Sequence, residues 1–271
     1  MDFPDYENIR FERNGRVLAV PAEDASVDVH DSGQGVRQLL LREAKHRLSA
    51  QLRSRLCVAI EDATAAPEVR AIVLGTAGSH FSVGGDLGTM QGLMDASASR
   101  KHAHVLEANR LARALDQCRK PIVAAVSGGC HGAGAAVVLL CDTIVVGEST
   151  QLGFPFLRMG LVPDFGISHT LGRRVGEAVA RQILLYAKTI TGAHAVHIGL
   201  ADECVEDAQV LPRAVELATI LAAMPAQALA LTKDMLRDDA GGLESALRAE
   251  AMNQSHCFGS TDMREGLSAF F

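Results

Sequence analysis

SGGCHGAGAAVVLLCD, residues 127–142, follows directly on PIVAAV at 121–126. From Ile122 to Cys141 the chain runs twenty residues without a formal charge, a length able to cross a bilayer. Gly128, Gly129, Gly132 and Gly134, with His131 among them, interrupt the run. Glycine admits backbone conformations closed to other residues. The passage therefore reads as a buried strand, a tight turn and an apolar helix starting near Ala133, and no membrane span is expected.

The same short β-branched run recurs at AIVLGT (71–76) and DTIVVGE (142–148), while Leu106 to Leu115 and Ala135 to Cys141 are patterned as helix. Strand and helix alternate, which predicts a largely parallel α/β core. Residues 9–20 predict two short strands around the turn Asn14-Gly15. The polar passage PAEDASVDVHDSGQG (21–35) reads as loop. From about Val36 to Ala63 the spacing predicts one amphipathic helix, with Leu48, Leu52, Leu56, Ile60 and Ala63 on one face. Helical patterning returns at Arg174 to Tyr186, Val210 to Leu236 and Leu243 to Ser255, so the C-terminal third is expected to be mostly helix. No internal repeat or linker divides the chain.

Of 271 residues 48% are apolar and 21% charged, which excludes disorder and leaves ample material for a core. Asp and Glu outnumber Lys and Arg by 32 to 26, a net charge of −6 without a basic block, so no nucleic-acid partner is expected. A polyanionic ligand must then be held by local charges. Six cysteines without a CxxC pair and no signal-like start lead us to expect a reduced, cytoplasmic protein.

Two glycine-rich passages, HFSVGGDL at 80–87 and SGGCHGAG at 127–134, each follow a buried strand. Neither fits a dinucleotide fingerprint or a phosphate loop. Two peptide N–H groups converging from such loops make an oxyanion hole; the plain alternative is that each loop is only a tight turn. No spacing suggests a metal site.

Taken in order, FSVGGDL, PIVAAVSG, GAG, an apolar helix ending in CD, GFPFLRMGLVPDFG and ITG…GLADE resemble the enoyl-CoA hydratase/isomerase (crotonase) superfamily over about residues 48–270. The resemblance implies an α/β fold: a crotonase-like spiral of ββα turns over residues 1–200, forming two roughly perpendicular sheets, and a C-terminal helical region over 201–271 that mediates trimers, which often pair into hexamers. It implies an acyl-CoA thioester as substrate, with coenzyme A present only as part of it and no separate cofactor. The backbone N–H groups of Val83 and Ala133 are the implied oxyanion donors. Ser82, Gly84, Gly85, Asp86 and Leu87 flank the first donor, Gly132 and Ala136 the second, and Pro155 and Phe156 follow in the chain. Lys45 and Arg47 sit at the implied phosphate turn, and His80 near the adenine or pantetheine. Asp86 and Asp142 look structural, and His131 reads as a loop residue.

The departures matter equally. The two glutamate positions with which hydratases of the superfamily activate water hold Ala136 and Phe156, and neither is an acid or a base. In members with the pattern PDxG the loop aspartate acts as base or nucleophile; that position is Asp164 in LVPDFG. With Phe154, Phe156 and Phe165 close in sequence, its carboxyl is expected to be partly desolvated. Alternatively it caps a helix beginning near Gly166. His169, one turn on, is placed to hydrogen-bond it, whereas His102 and His104 read as solvated. A single carboxylate suits double-bond isomerisation; the alternatives are hydration or hydrolysis with another base, or an idle acyl-CoA-binding protein. The Asn-Arg-Pro and Asn-Ala-Leu motifs are missing, and FGSTDMREGLSAFF stops before the usual basic tail, so a weaker grip on the phosphates is expected.

Overall fold

The computed structural model describes residues 11–13, 16–18, 27–41, 47–76, 78–237 and 242–270. Its principal sheet has six strands in the order β13 (Glu203–Val205), β10 (Thr143–Gly147), β8 (Ile122–Val126), β6 (Ala71–Thr76), β4 (Val36–Leu41) and β3 (Val27–Asp31). Neighbours run parallel except for the β3–β4 hairpin. Side-chain alternation divides two cores. Ile72, Leu74, Ile122, Val126, Ile144 and Val146 face one; Val73, Val123, Ala125 and Val145 face the other. A slip of one residue would exchange the faces, so the register is strongly specified.

The first core is covered by α1 (Ala50–Ala65) and α3 (Ala98–Asp116), which bury Leu52, Leu56, Ile60, Leu111 and Leu115. Each such side chain contributes about 1.5–3 kcal/mol on burial. The second core is covered by α8 (Val210–Ala222), whose Val210, Ala214, Ala218 and Ala222 recur every fourth residue. Small side chains on both surfaces let this helix lie close against the sheet.

A second, three-stranded sheet has the order β12 (Thr189–Thr191), β11 (Gln151–Gly153), β9 (Gly129–His131), and β5 (Arg47–Leu48) pairs in parallel with β7 (Gly84–Gly85). The helices α2 (Leu87–Leu93), α4 (Ala133–Val138), α5 (Ile167–Val175), α6 (Glu177–Leu185) and α7 (Gly192–His197) connect these layers, and α9 (Ala226–Arg237), α10 (Gly242–Phe258) and α11 (Thr261–Phe270) follow α8. Among the described residues no single helix is long and apolar enough to cross a membrane.

The parallel α/β core and the helical C-terminal third agree with the sequence reading, and β1 (Phe11–Arg13) pairs antiparallel with β2 (Arg16–Leu18) as the predicted hairpin requires. Its turn, Asn14-Gly15, lies outside the described residues. Three expectations fail. The supposed loop contains β3, whose buried Val27 and Val29 alternate with Asp28 and His30, so charge masked a period of two. The helix expected from Val36 begins only at Ala50, where the Ser49 hydroxyl accepts a hydrogen bond from the Leu52 N–H at 3.2 Å. Val36–Leu41 pairs instead along its whole length with β6, and tertiary pairing overrides the helical spacing of its leucines. Finally, Arg174 to Tyr186 and Val210 to Leu236 are each broken: Gly176 with φ +76° separates α5 from α6, and the chain bends by 108° between α8 and α9, ahead of which Pro225 stands.

Gly192 opens α7 against the end of β10, where a Cβ would lie 2.2 Å from the Gly147 carbonyl oxygen. Gly172, in α5, has nothing within 4 Å of the same position. In urea denaturation Gly192→Ala is expected to lose about 1–3 kcal/mol by overpacking against backbone, and Gly172→Ala to gain up to about 1 kcal/mol in helix propensity. Equal effects at the two positions would contradict the packing assigned to α7.

Candidate active site

The two glycine-rich loops are laced together by backbone. The Ser82 N–H donates to the Gly129 carbonyl at 3.1 Å, and the His131 N–H donates to the Ser82 carbonyl at 2.9 Å, so Ser82 and Cys130 form a parallel bridge. Ser82 is fully buried, and its hydroxyl accepts from the Gly84 N–H at 3.1 Å. The close approach dictates residue type. A Cβ at Gly134 would meet the Ser82 Cβ at 2.6 Å, and one at Gly84 would lie 2.9 Å from the His131 carbonyl oxygen and 3.8 Å from the Ala133 nitrogen. Gly84 and Gly132 also take φ values of +98° and +52°, which L side chains rarely adopt.

The lacing brings Val83 and Ala133 onto one cavity of about 270 Å³, with Gly84, Gly85, Gly132, Pro155, Phe156 and Asp164 also in its wall and Arg47 beside them. Ala133 is the first residue of α4, so its N–H has no carbonyl a turn back within the helix. Met90, Met159 and Leu161 complete an apolar lining that the sequence did not single out. Of the two glutamate-equivalent positions, Phe156 forms part of the wall, whereas Ala136 is fully buried in the first core and does not line the cavity. Its expected place in the pocket is thus corrected.

Among the described residues, Asp164 is the one carboxylate in the cavity wall. Its Oδ1 is buried and has no hydrogen-bond partner among the described residues. Burial pushes its pKa above the ordinary carboxylate value, opposed by its own backbone N–H and by the charge of Arg53. It does not cap α5 through its side chain: Gly166 occupies the cap without a side-chain bond, and the Ile167 N–H bonds to the backbone carbonyl of Asp164 at 3.1 Å. The following residue, Phe165, has φ +51° although it is not glycine. That conformation costs about 1–2 kcal/mol, and it is held by a side chain only 3% exposed. The strain fixes where the carboxyl leaves the backbone.

The remaining expected residues divide by role. Asp86 caps α2, accepting from the Gly88 N–H at 3.3 Å and the Thr89 hydroxyl at 2.7 Å, and lies 3.2 Å from Arg47. Burial acts to raise its pKa, but the Thr89 hydroxyl and Arg47 prevail and hold it below the ordinary value. His80 accepts from the Gly129 N–H at 2.7 Å through Nδ1 and supports the loop without reaching the cavity wall. Burial, followed by nearby His80, keeps His131 neutral by lowering its pKa. Leu87 opens α2, its side chain lying outside the described atoms, as does Lys45 altogether. His169 lines a separate cleft of about 470 Å³ with Asp142 and Lys233, and does not bond Asp164. Cys130, inside the second loop, is fully buried with a strongly raised pKa, which leaves no thiolate there.

One charged group escaped the sequence reading. Arg53, on the buried face of α1, is 5% exposed; its guanidinium donates to the Leu48 carbonyl at 2.7 Å and to Glu107 of α3. An arginine between Leu52 and Leu56 on an apolar stripe was the available signal. His104 is also closer to this pair than expected: burial, then Arg53, lowers its pKa.

The sequence profile described as enoyl-CoA hydratase/isomerase matches residues 32–271. A Thermus thermophilus relative named for enoyl-CoA hydratase is 33% identical over 84% of this chain and 90% of its own. The short-chain-enoyl-CoA hydratase of Clostridium acetobutylicum is 30% identical over 75% of this chain and 77% of its own. Among solved structures, an enoyl-CoA hydratase/isomerase from Cupriavidus metallidurans superposes with a TM-score of 0.85 at 25% identity, covering 90% of this chain and 92% of that one. The laced glycine loops, the shared cavity and these matches have one reading: the chain belongs to the enoyl-CoA hydratase/isomerase family and has the crotonase fold.

Proposed function

We propose that this acyl-CoA enzyme moves a double bond along an enoyl-CoA thioester, with Asp164 as the proton carrier and the Val83 and Ala133 N–H groups as the oxyanion hole. One juxtaposition carries the reading: a buried carboxyl with a raised pKa shares the cavity with the two laced loops, and among the described residues no other carboxylate lines it. Asp164 takes a proton from C2 of a 3-enoyl thioester. Charge moves onto the thioester oxygen, where each N–H donor contributes about 3 kcal/mol to the barrier reduction. The same carboxyl returns the proton at C4, leaving the double bond between C2 and C3. Nothing is added or lost, so no water need be activated.

Coenzyme A enters only as part of the substrate, and Arg47, in the cavity wall and paired with Asp86, is the cation proposed to face its phosphates. Hydration is a second reading, supported by the names of the relatives and by the same carboxylate acting on a water. The reading also takes the enzyme as a homotrimer or a dimer of trimers. Support comes from α9 to α11, where Leu236, Leu243, Met252 and Phe258 are exposed and no residue of α9 or α10 is buried.

Mass spectrometry of the product from 3-enoyl-CoA separates the two readings: isomerisation leaves the mass unchanged and hydration adds one water. Asp164→Asn is expected to lower kcat by about 10²–10⁴-fold; a variant retaining the full rate would remove the carboxyl from the mechanism. The same substitution is expected to raise Tm at neutral pH. The folded-state pKa of Asp164 lies above its unfolded value, so ionisation there opposes folding. That gain disappears as pH falls below the ordinary carboxylate range, where both states are protonated. Gly84→Ala, which pushes a methyl toward the His131 carbonyl and the Ala133 nitrogen, is expected to lower kcat by about 10²-fold, with acyl-CoA binding largely kept. Unchanged turnover would argue against the hole.

A further inference from the structure

The second glycine loop is gripped from the first at a single residue. The Gly129 carbonyl accepts from the Phe81 N–H at 3.0 Å and from the Ser82 N–H at 3.1 Å, while the Gly129 N–H donates to His80 Nδ1 at 2.7 Å. Residues 80–82 thus engage both of its backbone polar groups. The imidazole lies directly on the loop it holds: a Cβ at Gly128 would sit 2.9 Å from His80 Nδ1, and one at Gly129 3.1 Å. Because Nδ1 accepts, the neutral ring carries its proton on Nε2. A proton added at Nδ1 would set a donor against the Gly129 N–H, which is also a donor.

Resting on the oxyanion hole and isomerase reading above, we propose that His80 is a positioning residue for the hole: its neutral Nδ1 anchors Gly129, the anchor keeps the two loops in the register that presents the Val83 and Ala133 N–H groups, and protonation of the ring releases it. The site thereby acquires an acid limit separate from that of Asp164. His80 stands outside the cavity wall and acts through the Gly129 backbone. Its loss is therefore expected in kcat more than in KM.

The groups around the ring leave the titration to His80. On β9, His131 packs against the same glycine, its Nε2 3.0 Å from a Cβ built at Gly129, and burial, followed by His80, keeps it neutral. Cys130, beside it, is fully buried and stays protonated. Residues 127–129 carry no charged side chain, nor does β11, which pairs with β9. On the passage of His80 itself the first carboxylate in sequence is Asp86, already engaged by Arg47, the Thr89 hydroxyl and the Gly88 N–H.

The test follows kcat for isomerisation of 3-enoyl-CoA from about pH 5 to about pH 8, the range in which imidazoles titrate, in the full chain and in His80→Asn and His80→Leu. Asn puts an amide oxygen where Nδ1 stood and does not titrate, whereas Leu offers no acceptor. His80→Asn is expected to match the wild type within a few-fold at the upper end and to lose less activity toward the lower end. Any limb due to Asp164 is common to both and cancels in the comparison. His80→Leu is expected to lose about tenfold or more throughout, with KM little changed, because the Gly129 N–H is left without a partner. Superposable pH profiles for wild type and His80→Asn overturn the proposal, as does a full rate in His80→Leu or a His80→Asn as slow as His80→Leu at the upper end. If His80→Leu does not fold, the comparison with His80→Asn decides alone. Hydrogen–deuterium exchange of the segment 127–134 needs no turnover. At the acid end the wild type is expected to exchange faster than His80→Asn, and at the upper end the two are expected to be alike. Equal exchange at both ends overturns the proposal, whereas the expected difference in an enzyme that does not isomerise 3-enoyl-CoA contradicts the isomerase reading and supports the anchor.

Discussion

Everything at the site depends on the backbone hydrogen bonds between the glycine loops, among them those from Ser82 N–H to Gly129 and from His131 N–H to Ser82. They hold the ends of two separate strand-to-helix connections in register, and that register places Val83 beside Ala133. Each bond contributes only about 1 kcal/mol net. Their effect is geometric, because the loops approach so closely that residues 84 and 134 have no room for a Cβ. The buried Ser82 is the centre of this arrangement, pairing with one loop through its backbone and with its own loop through its hydroxyl. Backbone groups, not side chains, are what the lacing delivers to the cavity, which is why Val and Ala suffice at the two positions.

Against this rigid frame, the local departures from stability collect around Asp164. A buried oxygen without a partner, a raised pKa and a left-handed phenylalanine occur within two consecutive residues. An unpaired buried polar group costs about 1–3 kcal/mol, and the backbone of Phe165 adds to that. Strain and desolvation of this kind persist only where the surroundings overdetermine them. Here the surroundings are the buried Phe165 ring and the first turn of α5. The histidines and cysteines near the loops, by contrast, belong to the frame: His80 is bonded to backbone, His131 is kept neutral, and Cys130 is held protonated by burial.

The parts legible from sequence were those in which local pattern and tertiary structure agree. The strands at 71–76, 122–126 and 143–147 are buried on both faces, so their short apolar runs read directly as strands once the glycines after Val126 had excluded a membrane span. The loops were legible because glycine is demanded at 84 and 134 by contact and at 132 by a positive φ, and composition shows it directly. Val36–Leu41 was misread because a leucine run fits a helix and a strand equally until its partner, β6, is known. Val27–Asp31 was misread because half its residues face away from the core. Asp164 was found through motif order, but its lack of a partner was not, since that depends on what α5 does not offer it. Arg53 was missed for a related reason: its carboxylate partner, Glu107, comes from a distant part of the chain.

The central claim is that one buried carboxyl and two peptide N–H groups suffice to make and quench a thioester enolate. The most direct measurement is proton NMR of a 2-enoyl-CoA incubated with the enzyme in D₂O, following exchange at C4. The account predicts deuterium entering C4 with the wild-type enzyme and no entry with Asp164→Asn. Exchange that persists in the variant, or none in the wild type while the substrate is turned over, would contradict it.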